Sequence, residues 1–159
     1  MALQSATLIQ PSKGVAVEPN DVYVSASGAS FSTGDVVALR LNSSNMCWDT
    51  CVTPTATDLS AGILAVCTQD IASGARGKVR VRGVVTAFTL ATAGTVTNGT
   101  LLTATTSKDL EADRATSGLN QGKLVARALF TGAVGGTRTL RSVIFDGIHG
   151  FGGIFGGAA

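Results

Sequence analysis

Turn signals recur along this chain at short intervals, and they constrain its fold more than any other feature. Clusters of Gly, Asn, Asp, Ser and Pro separate short apolar runs roughly every 8–15 residues. Strands fit into such intervals, and no helix longer than about three turns is convincing. The sequence therefore predicts an all-β fold, a compact barrel or sandwich of short antiparallel strands, with extended terminal arms. It shows no clean sequence repeat.

Several segments carry the alternation or the continuous apolar run that is typical of strands. The predicted strands are 21–24, 36–40, 47–53, 63–67, 78–88, 123–130 and 137–145. The pair Asn98-Gly99 predicts a hairpin between two short strands on either side of it. Residues 58–62 are predicted as a turn, and 107–115 as a polar loop or a single helical turn.

The longest predicted strand, 78–88, has a basic side. Lys78, Arg80 and Arg82 point one way while the valines between them point the other way, and Gly83 predicts a bulge or bend. Like charges on one strand face repel unless they are solvated or paired. The three residues are therefore either a solvated face or a site for an acidic surface on a partner or a neighbouring subunit. Nucleic acid is a third and weaker choice.

Composition excludes several classes of protein. The chain has 159 residues, of which 45% are hydrophobic and 14% charged, with a mean hydropathy of +0.34. About 25% charged residues is usual, so neither a disordered segment nor a coiled coil fits. A net charge of +2 is too weak for a protein devoted to nucleic acid. A low-charge β domain suits a component of an assembly.

The last 13 residues, 147–159, differ from the rest of the chain. They are rich in glycine and carry four large apolar side chains, Ile148, Phe151, Ile154 and Phe155. Such a segment loses too much entropy to fold alone, and simple disorder is one interpretation. The other is an arm of up to about 45 Å whose apolar side chains bind a neighbour. We therefore predict an N-terminal arm (1–14), a β domain (15–146) and this C-terminal arm.

Cysteine usage and hydropathy indicate the compartment. Three cysteines, Cys47, Cys51 and Cys67, leave at least one thiol unpaired, which fits a reducing cytoplasm. Cys47 and Cys51 on one extended strand would lie about 13 Å apart, too far for a disulfide. The N-terminus lacks the pattern of a signal peptide, and no apolar run approaches the roughly 20 residues of a membrane span. We expect no membrane association.

No pattern in the sequence is convincing as a catalytic, phosphate-binding or metal-binding site. The only histidine, His149, lies between glycines in the predicted arm, which is a poor place for a catalytic base. Gly74 to Lys78 fails the phosphate-loop pattern, and the cysteines lack the paired spacing of a zinc site. The alternating acidic residues Asp109, Glu111 and Asp113 are better explained as a solvated loop than as a calcium site. We therefore predict no enzyme activity, no cofactor and no metal.

A family resemblance rests on six segments of the chain. These segments are Gly34–Ala38, Ser60–Val66, Asp70–Val79, Arg82–Val85, Asn98–Leu102 and Gly122–Leu129. Through them the chain resembles the small head decoration (cement) proteins of tailed bacteriophages over roughly residues 14 to 145. The resemblance implies a compact β domain, usually oligomeric and often trimeric, on the outside of an icosahedral capsid. It implies no catalysis, and it does not include the C-terminal arm.

From the resemblance we expect a structural virion protein, made in the host cytoplasm, that stabilises a phage capsid by bridging neighbouring subunits of the major capsid protein. The expected contact residues are those of the arm and of the basic side of strand 78–88. A homotrimer is favoured, and nucleic acid is not an expected partner. Two alternatives remain: a trimeric head spike or fibre component, and a carbohydrate-binding β-sandwich module, which would need exposed aromatic platforms.

Overall fold

The computed structural model describes residues 20–44, 46–90, 95–112, 124–133 and 137–150. The predicted N-terminal arm (1–14) and the arm residues Phe151, Ile154 and Phe155 lie outside these ranges. In the described part the strands are β1 (Asp21–Ala26), β2 (Val36–Asn42), β3 (Cys47–Val52), β4 (Leu64–Cys67), β5 (Arg76–Arg80), β6 (Arg82–Leu90), β7 (Thr95–Val96), β8 (Leu101–Ala104), β9 (Leu110–Ala112), β10 (Leu124–Ala128), β11 (Gly132–Ala133) and β12 (Thr139–Asp146). A short helix, α1 (Ala56–Ala61), precedes β4.

The strands form two small closed barrels, which confirms the all-β prediction and gives its barrel form. Barrel 1 has the order β1-β3-β2-β4-β5, and barrel 2 has β6-β9-β8-β10-β12. Each barrel contains one parallel pair, β1 with β3 and β6 with β9, among antiparallel neighbours. The purely antiparallel arrangement expected from the sequence is impossible here, because directions cannot alternate around a closed ring of five strands.

The two barrels have the same topology. In each, the first strand along the chain pairs with the third, the third with the second, the second with the fourth, the fourth with the fifth, and the fifth with the first. An accessory bridge is repeated as well: Phe31 pairs with Ile71 beside barrel 1, and β7 pairs with β11 beside barrel 2. The fold is therefore a structural duplication, although the sequence shows no clean repeat.

The turns before the second strand of the two barrels make equivalent hydrogen bonds. Gly34 N donates to Cys67 O at 2.8 Å, and Gly99 N donates to Ala128 O at 2.8 Å. Both glycines have positive φ angles, 95° and 90°, which other residues rarely adopt. The residue after each glycine accepts from the same partner, since Cys67 N bonds to Asp35 O and Ala128 N to Thr100 O, both at 2.9 Å. A glycine turn thus positions the second strand in both halves.

The predicted long strand 78–88 is two strands that belong to different barrels. The break lies at Val81 and not at Gly83, so the prediction of one strand with a bend at the glycine was wrong. Val81 is buried, and its backbone holds the flanking segments: Val81 N donates to Asn20 O at 2.9 Å, and Gly147 N donates to Val81 O at 3.0 Å. Alternation continues through the break, and so periodicity alone could not reveal it.

Three further segments differ from the sequence prediction. The Asn98-Gly99 turn exists, but β7 and β8 on its two sides pair with other strands and not with each other. Residues 110–112, predicted within a polar loop or helical turn, form β9. The predicted turn at 58–62 overlaps α1, whose N-terminus has a capping box between Thr55 and Asp58. In each case the partner strand or cap decides the local structure.

Two apolar clusters form the core. One fills barrel 1 and includes Val24, Val37 and Val79. The other fills barrel 2 and also takes in Val36 and Leu64 from barrel 1. Residues on alternate sides of β2 and β4 therefore serve both clusters, and the core is continuous across the junction of the barrels.

Gly147 closes this junction, and we expect Gly147→Ala to destabilise the protein by about 1–3 kcal/mol. A Cβ at this position would overlap the carbonyl group of Leu64 and the ring of Phe145. Gly132→Ala is the matched control, since a Cβ there meets nothing within 4 Å. Urea denaturation of both variants gives the comparison. Equal stability of the two variants would contradict this account of the junction.

A second prediction concerns pH. Two hydrogen bonds from Arg40, at 2.5 and 2.8 Å, are the main cause that lowers the pKa of Asp58 to about 2. A depressed pKa stabilises the fold above the ordinary value near 4, and this stabilisation disappears as the pH falls from about 4 to about 2. Asp58→Asn should therefore cost on the order of 1 kcal/mol at pH 7, after allowance for solvent screening, and only a small part of that at pH 2.

Denaturation of wild type and Asp58→Asn at a series of pH values between 2 and 7 tests the expectation for Asp58. Arg40→Met provides a second check, because removing the cation should abolish the same pH-dependent difference. A stability gap that does not change between pH 4 and pH 2 would show that the ion pair is not its cause.

Candidate functional site

A cluster of four charged side chains joins the two barrels. Asp35, in the turn before β2, accepts from Arg138 Nη2 at 2.7 Å and lies 3.3 Å from Lys108 Nζ. Arg138 Nε also donates to Asp109. Both carboxylates belong to residues that are only 1% exposed, whereas the cations reach the surface. Asp35, which belongs to barrel 1, is therefore neutralised by two cations of barrel 2, Lys108 and Arg138.

Aromatic rings and burial complete the environment of this cluster. The Arg138 guanidinium lies 4.1 Å from the centre of the Phe88 ring, and Lys108 Nζ lies 5.5 Å from that of Phe31. Burial raises the pKa of Asp109, and the hydrogen bond from Arg138 offsets only part of this rise. The expectation that Asp109 lies in a solvated loop was therefore wrong. The four charged side chains hold the two barrels together by ion pairs, and we call this cluster the electrostatic clamp.

Carboxylates of the same chain balance the predicted basic side of strand 78–88. Lys78 Nζ lies 3.4 Å from Asp21, and Arg80 Nε donates to the same carboxylate at 2.8 Å. Arg82 Nη2 lies 3.1 Å from Asp146. The three cations are not a bare basic stripe. Their role in binding a partner stays a prediction, and an acidic partner would have to compete with Asp21 and Asp146.

Asp146 links two of the predicted contact residues, Arg82 and Ile148. Its Oδ1 accepts from Ile148 N at 3.2 Å and from His149 N at 3.0 Å, while its Oδ2 faces Arg82. Burial raises the pKa of Asp146, but these N–H groups and Arg82 outweigh it and hold the pKa below its usual value. The start of the predicted C-terminal arm is thus tied to the beginning of β6.

The outward side of β6, β12 and the end of β10, which we call the outer face, carries exposed apolar side chains beside the charged Arg82 and Arg127. Its large apolar side chains are Val84, Leu140, Ile144 and Leu129, exposed by 58, 44, 37 and 39%. Val84 and Ile144 are cross-strand partners, and Leu129 N donates to Ser142 O, so the four side chains lie on adjacent strands. Contiguous exposed apolar groups of this kind mark interaction surfaces.

A groove of about 330 Å³ adjoins the outer face, between the two barrels. Its lining residues are Thr33, Cys67, Thr68, Arg80, Val84, Val85 and Thr86. Val84 belongs to both the groove and the outer face. Arg80, the one charged residue in this lining, donates to the carbonyl of Val84 at 3.0 Å as well as to Asp21.

The outer face and the groove were missed by the sequence analysis, although a signal for part of them was present. The alternation that put Arg82 on the outward side continues past Gly83 and puts Val84 and Thr86 on that side too. The neighbouring charges were the stronger signal, and this exposed valine was overlooked. Leu140 and Leu129 carried no such signal, because their exposure depends on which strands pair.

Cys47 and Cys51 lie along β3, as expected, Cys67 lies at the end of β4, and none of the three forms a disulfide. Cys51 and Cys67 are buried in barrel 1, and burial raises the pKa of Cys51 to about 11 and that of Cys67 further. Such thiols are poor nucleophiles at neutral pH. Among the residues that the structure describes, no three His, Cys, Asp or Glu side chains are grouped so as to hold a metal ion. No helix in these ranges is long and apolar enough to span a membrane.

Comparisons with known proteins give a likeness of fold. No family model matches the chain, and no curated protein does. Among solved structures, the chain is similar to the N base of the head fiber protein gp8.5 of bacteriophage phi29, with 11% sequence identity and a TM-score of 0.51. The alignment covers 79% of this chain and 92% of that chain. At this identity, the finding establishes a shared architecture.

Removing the central cation of the barrel junction tests the electrostatic clamp. We expect Arg138→Met to destabilise the protein by about 1–3 kcal/mol at pH 7, because Asp35 and Asp109 lose their shared partner. The loss should shrink as the pH falls through the pKa of Asp109, since a protonated carboxyl costs little to bury. Arg76→Met, at an exposed position of β5, is the control in denaturation experiments and should change stability by less than about 0.5 kcal/mol. Losses of equal size in the two variants would contradict the clamp.

Proposed function

We propose that this chain is a structural protein of a tailed-phage head that binds to the outside of the capsid. The observation that carries the proposal is the likeness to the phi29 head fiber base, which extends over 92% of that chain. The family resemblance of the turn segments, seen in the sequence, points to the same particle. One fold can serve many functions, so association with phage particles is the property that tests the proposal.

Decoration of the capsid is the first form of this role. In it, the chain bridges neighbouring subunits of the major capsid protein and stabilises the shell. The low fraction of charged residues, 14%, supports such contacts, because interface centres are depleted in charge. The predicted C-terminal arm would add contacts to a neighbour. This role needs no catalysis, cofactor, nucleic acid or membrane.

A fibre or spike base is the second form, and one specific observation favours it. The similar solved structure is itself the base of a head fiber. In this form a few copies, grouped as a homo-oligomer such as a trimer, would attach a longer projection to the capsid. The two forms share the particle and the exterior location and differ in copy number.

The carbohydrate-binding alternative loses support from the structure. Such modules present aromatic rings as flat platforms, whereas the described Trp48 and Tyr23 are only partly exposed. Phe31 and Phe145 are buried. Every Phe, Trp and Tyr side chain of the described ranges is buried or only partly exposed. We therefore do not propose this function.

Quantitative mass spectrometry of density-banded particles tests the proposal by counting this chain against the major capsid protein. A ratio near one, or a simple fraction of it, is expected for a decoration protein. A few copies per particle would assign the fibre or spike base. Absence from the particles would overturn the proposal. If the chain decorates the shell, particles that lack it should also release DNA at a lower temperature.

A further inference from the structure

We propose that the outer face and its groove bind a second copy of this chain, with residues 151–159 of that copy lying in the groove. This inference rests on the proposed function in one respect, which is that the chain forms a homo-oligomer. It assigns the contact to named strands, which the proposed function does not.

The extent of the apolar surface requires a large partner. Val84, Leu140, Ile144 and Leu129 span three neighbouring strands, and the uncharged cross-strand pair Thr86 and Ser142 lies between them. Arg127 on β10, opposite Ile144, is a charged residue of this face. The nine residues 151–159 contain three large apolar side chains, Phe151, Ile154 and Phe155. These are too few to cover the outer face and also fill the groove. The body of a second copy is needed for the rest.

The groove offers a strand edge for pairing. Phe88 N donates to Gly34 O, and Val84 O accepts from Arg80, so the backbone groups at these positions point away from β12. Strand alternation aims the N–H and C=O of Thr86 the same way, into the groove that Thr86 lines. Between Val84 and Ala87 no strand of the described ranges pairs with this edge, because β9 meets β6 only at Thr89 and Leu90. An extended peptide can add there as a strand.

The sequence of residues 151–159 matches such a site. It has no charged side chain, and four glycines allow its backbone to approach the β6 edge closely. The groove volume of about 330 Å³ suits one or two of its large apolar side chains. Arg80, the charged lining residue, is already bonded to Asp21 and does not demand an acidic ligand.

The point where the segment leaves the barrel supports exchange between copies. Asp146 ties residues 148 and 149 to the beginning of β6, close to where the groove and the outer face begin. Each copy therefore carries its donor segment beside its own acceptor site. Nine residues reach about 30 Å when extended, enough to cross into an adjacent barrel. Head-to-tail exchange of this kind gives a ring, such as a trimer, when the rotation between copies closes.

Sedimentation equilibrium of the full chain at micromolar concentrations tests the proposal. Wild type should be oligomeric. Val84→Asp and truncation after Gly150 should each weaken self-association at least tenfold, while Leu41→Asp should leave it unchanged. Leu41 is the matched control, being 45% exposed on β2 of barrel 1. Circular dichroism confirms folding of each variant, and Leu140→Asp replaces Val84→Asp if that variant unfolds.

Each other outcome overturns a defined part of the proposal. A monomeric wild type, or an oligomer unaffected by Val84→Asp, rejects the outer face as the contact. An oligomer that survives truncation rejects residues 151–159 as the groove ligand. If all variants are monomers and Val84→Asp abolishes particle binding, the face binds capsid instead. If the oligomer responds as expected but the chain is absent from particles, the proposed function fails and this inference stands.

Discussion

The relative position of the two barrels depends on the carboxylate of Asp35. This carboxylate lies in the turn before β2 of barrel 1 and is nearly inaccessible to water. An unpaired charge at this place would therefore lower the stability of the fold. Both of its cations, Lys108 and Arg138, come from barrel 2. The backbone reinforces this contact, since Val36 N donates to Lys108 O at 2.9 Å. Holding the barrels together keeps the groove between them in shape.

The same position shows how the duplicated halves have diverged. Thr100 occupies in barrel 2 the place that Asp35 occupies in barrel 1, and both side chains accept a hydrogen bond from the residue that begins their turn. A hydroxyl satisfies that turn as well as a carboxylate does, but only the carboxylate also binds cations across the junction. One shared turn geometry therefore has a local role in one half and a long-range role in the other.

Much of the fold could be predicted residue by residue. The strands β2, β4 and β12 lie close to their predicted positions, because short apolar runs between turn glycines have few other ways to bury themselves. The break at Val81 could not be predicted, since β5 and β6 share one alternation and differ only in the barrel that each joins. Strand β9 was missed for a similar reason: its polar residues form a strand because β6 and β8 flank it.

The candidate site divides in the same way. Local sequence placed Arg80 and Arg82 on an outward strand side and set the apolar character of residues 148–155, because alternation and composition are properties of neighbouring residues. Only the tertiary structure decided that Asp21 and Asp146 neutralise these cations, and that Val84, Leu140 and Ile144 share one exposed face. Those contacts join residues more than 50 positions apart. They depend on how each barrel closes, which no local pattern of this chain records.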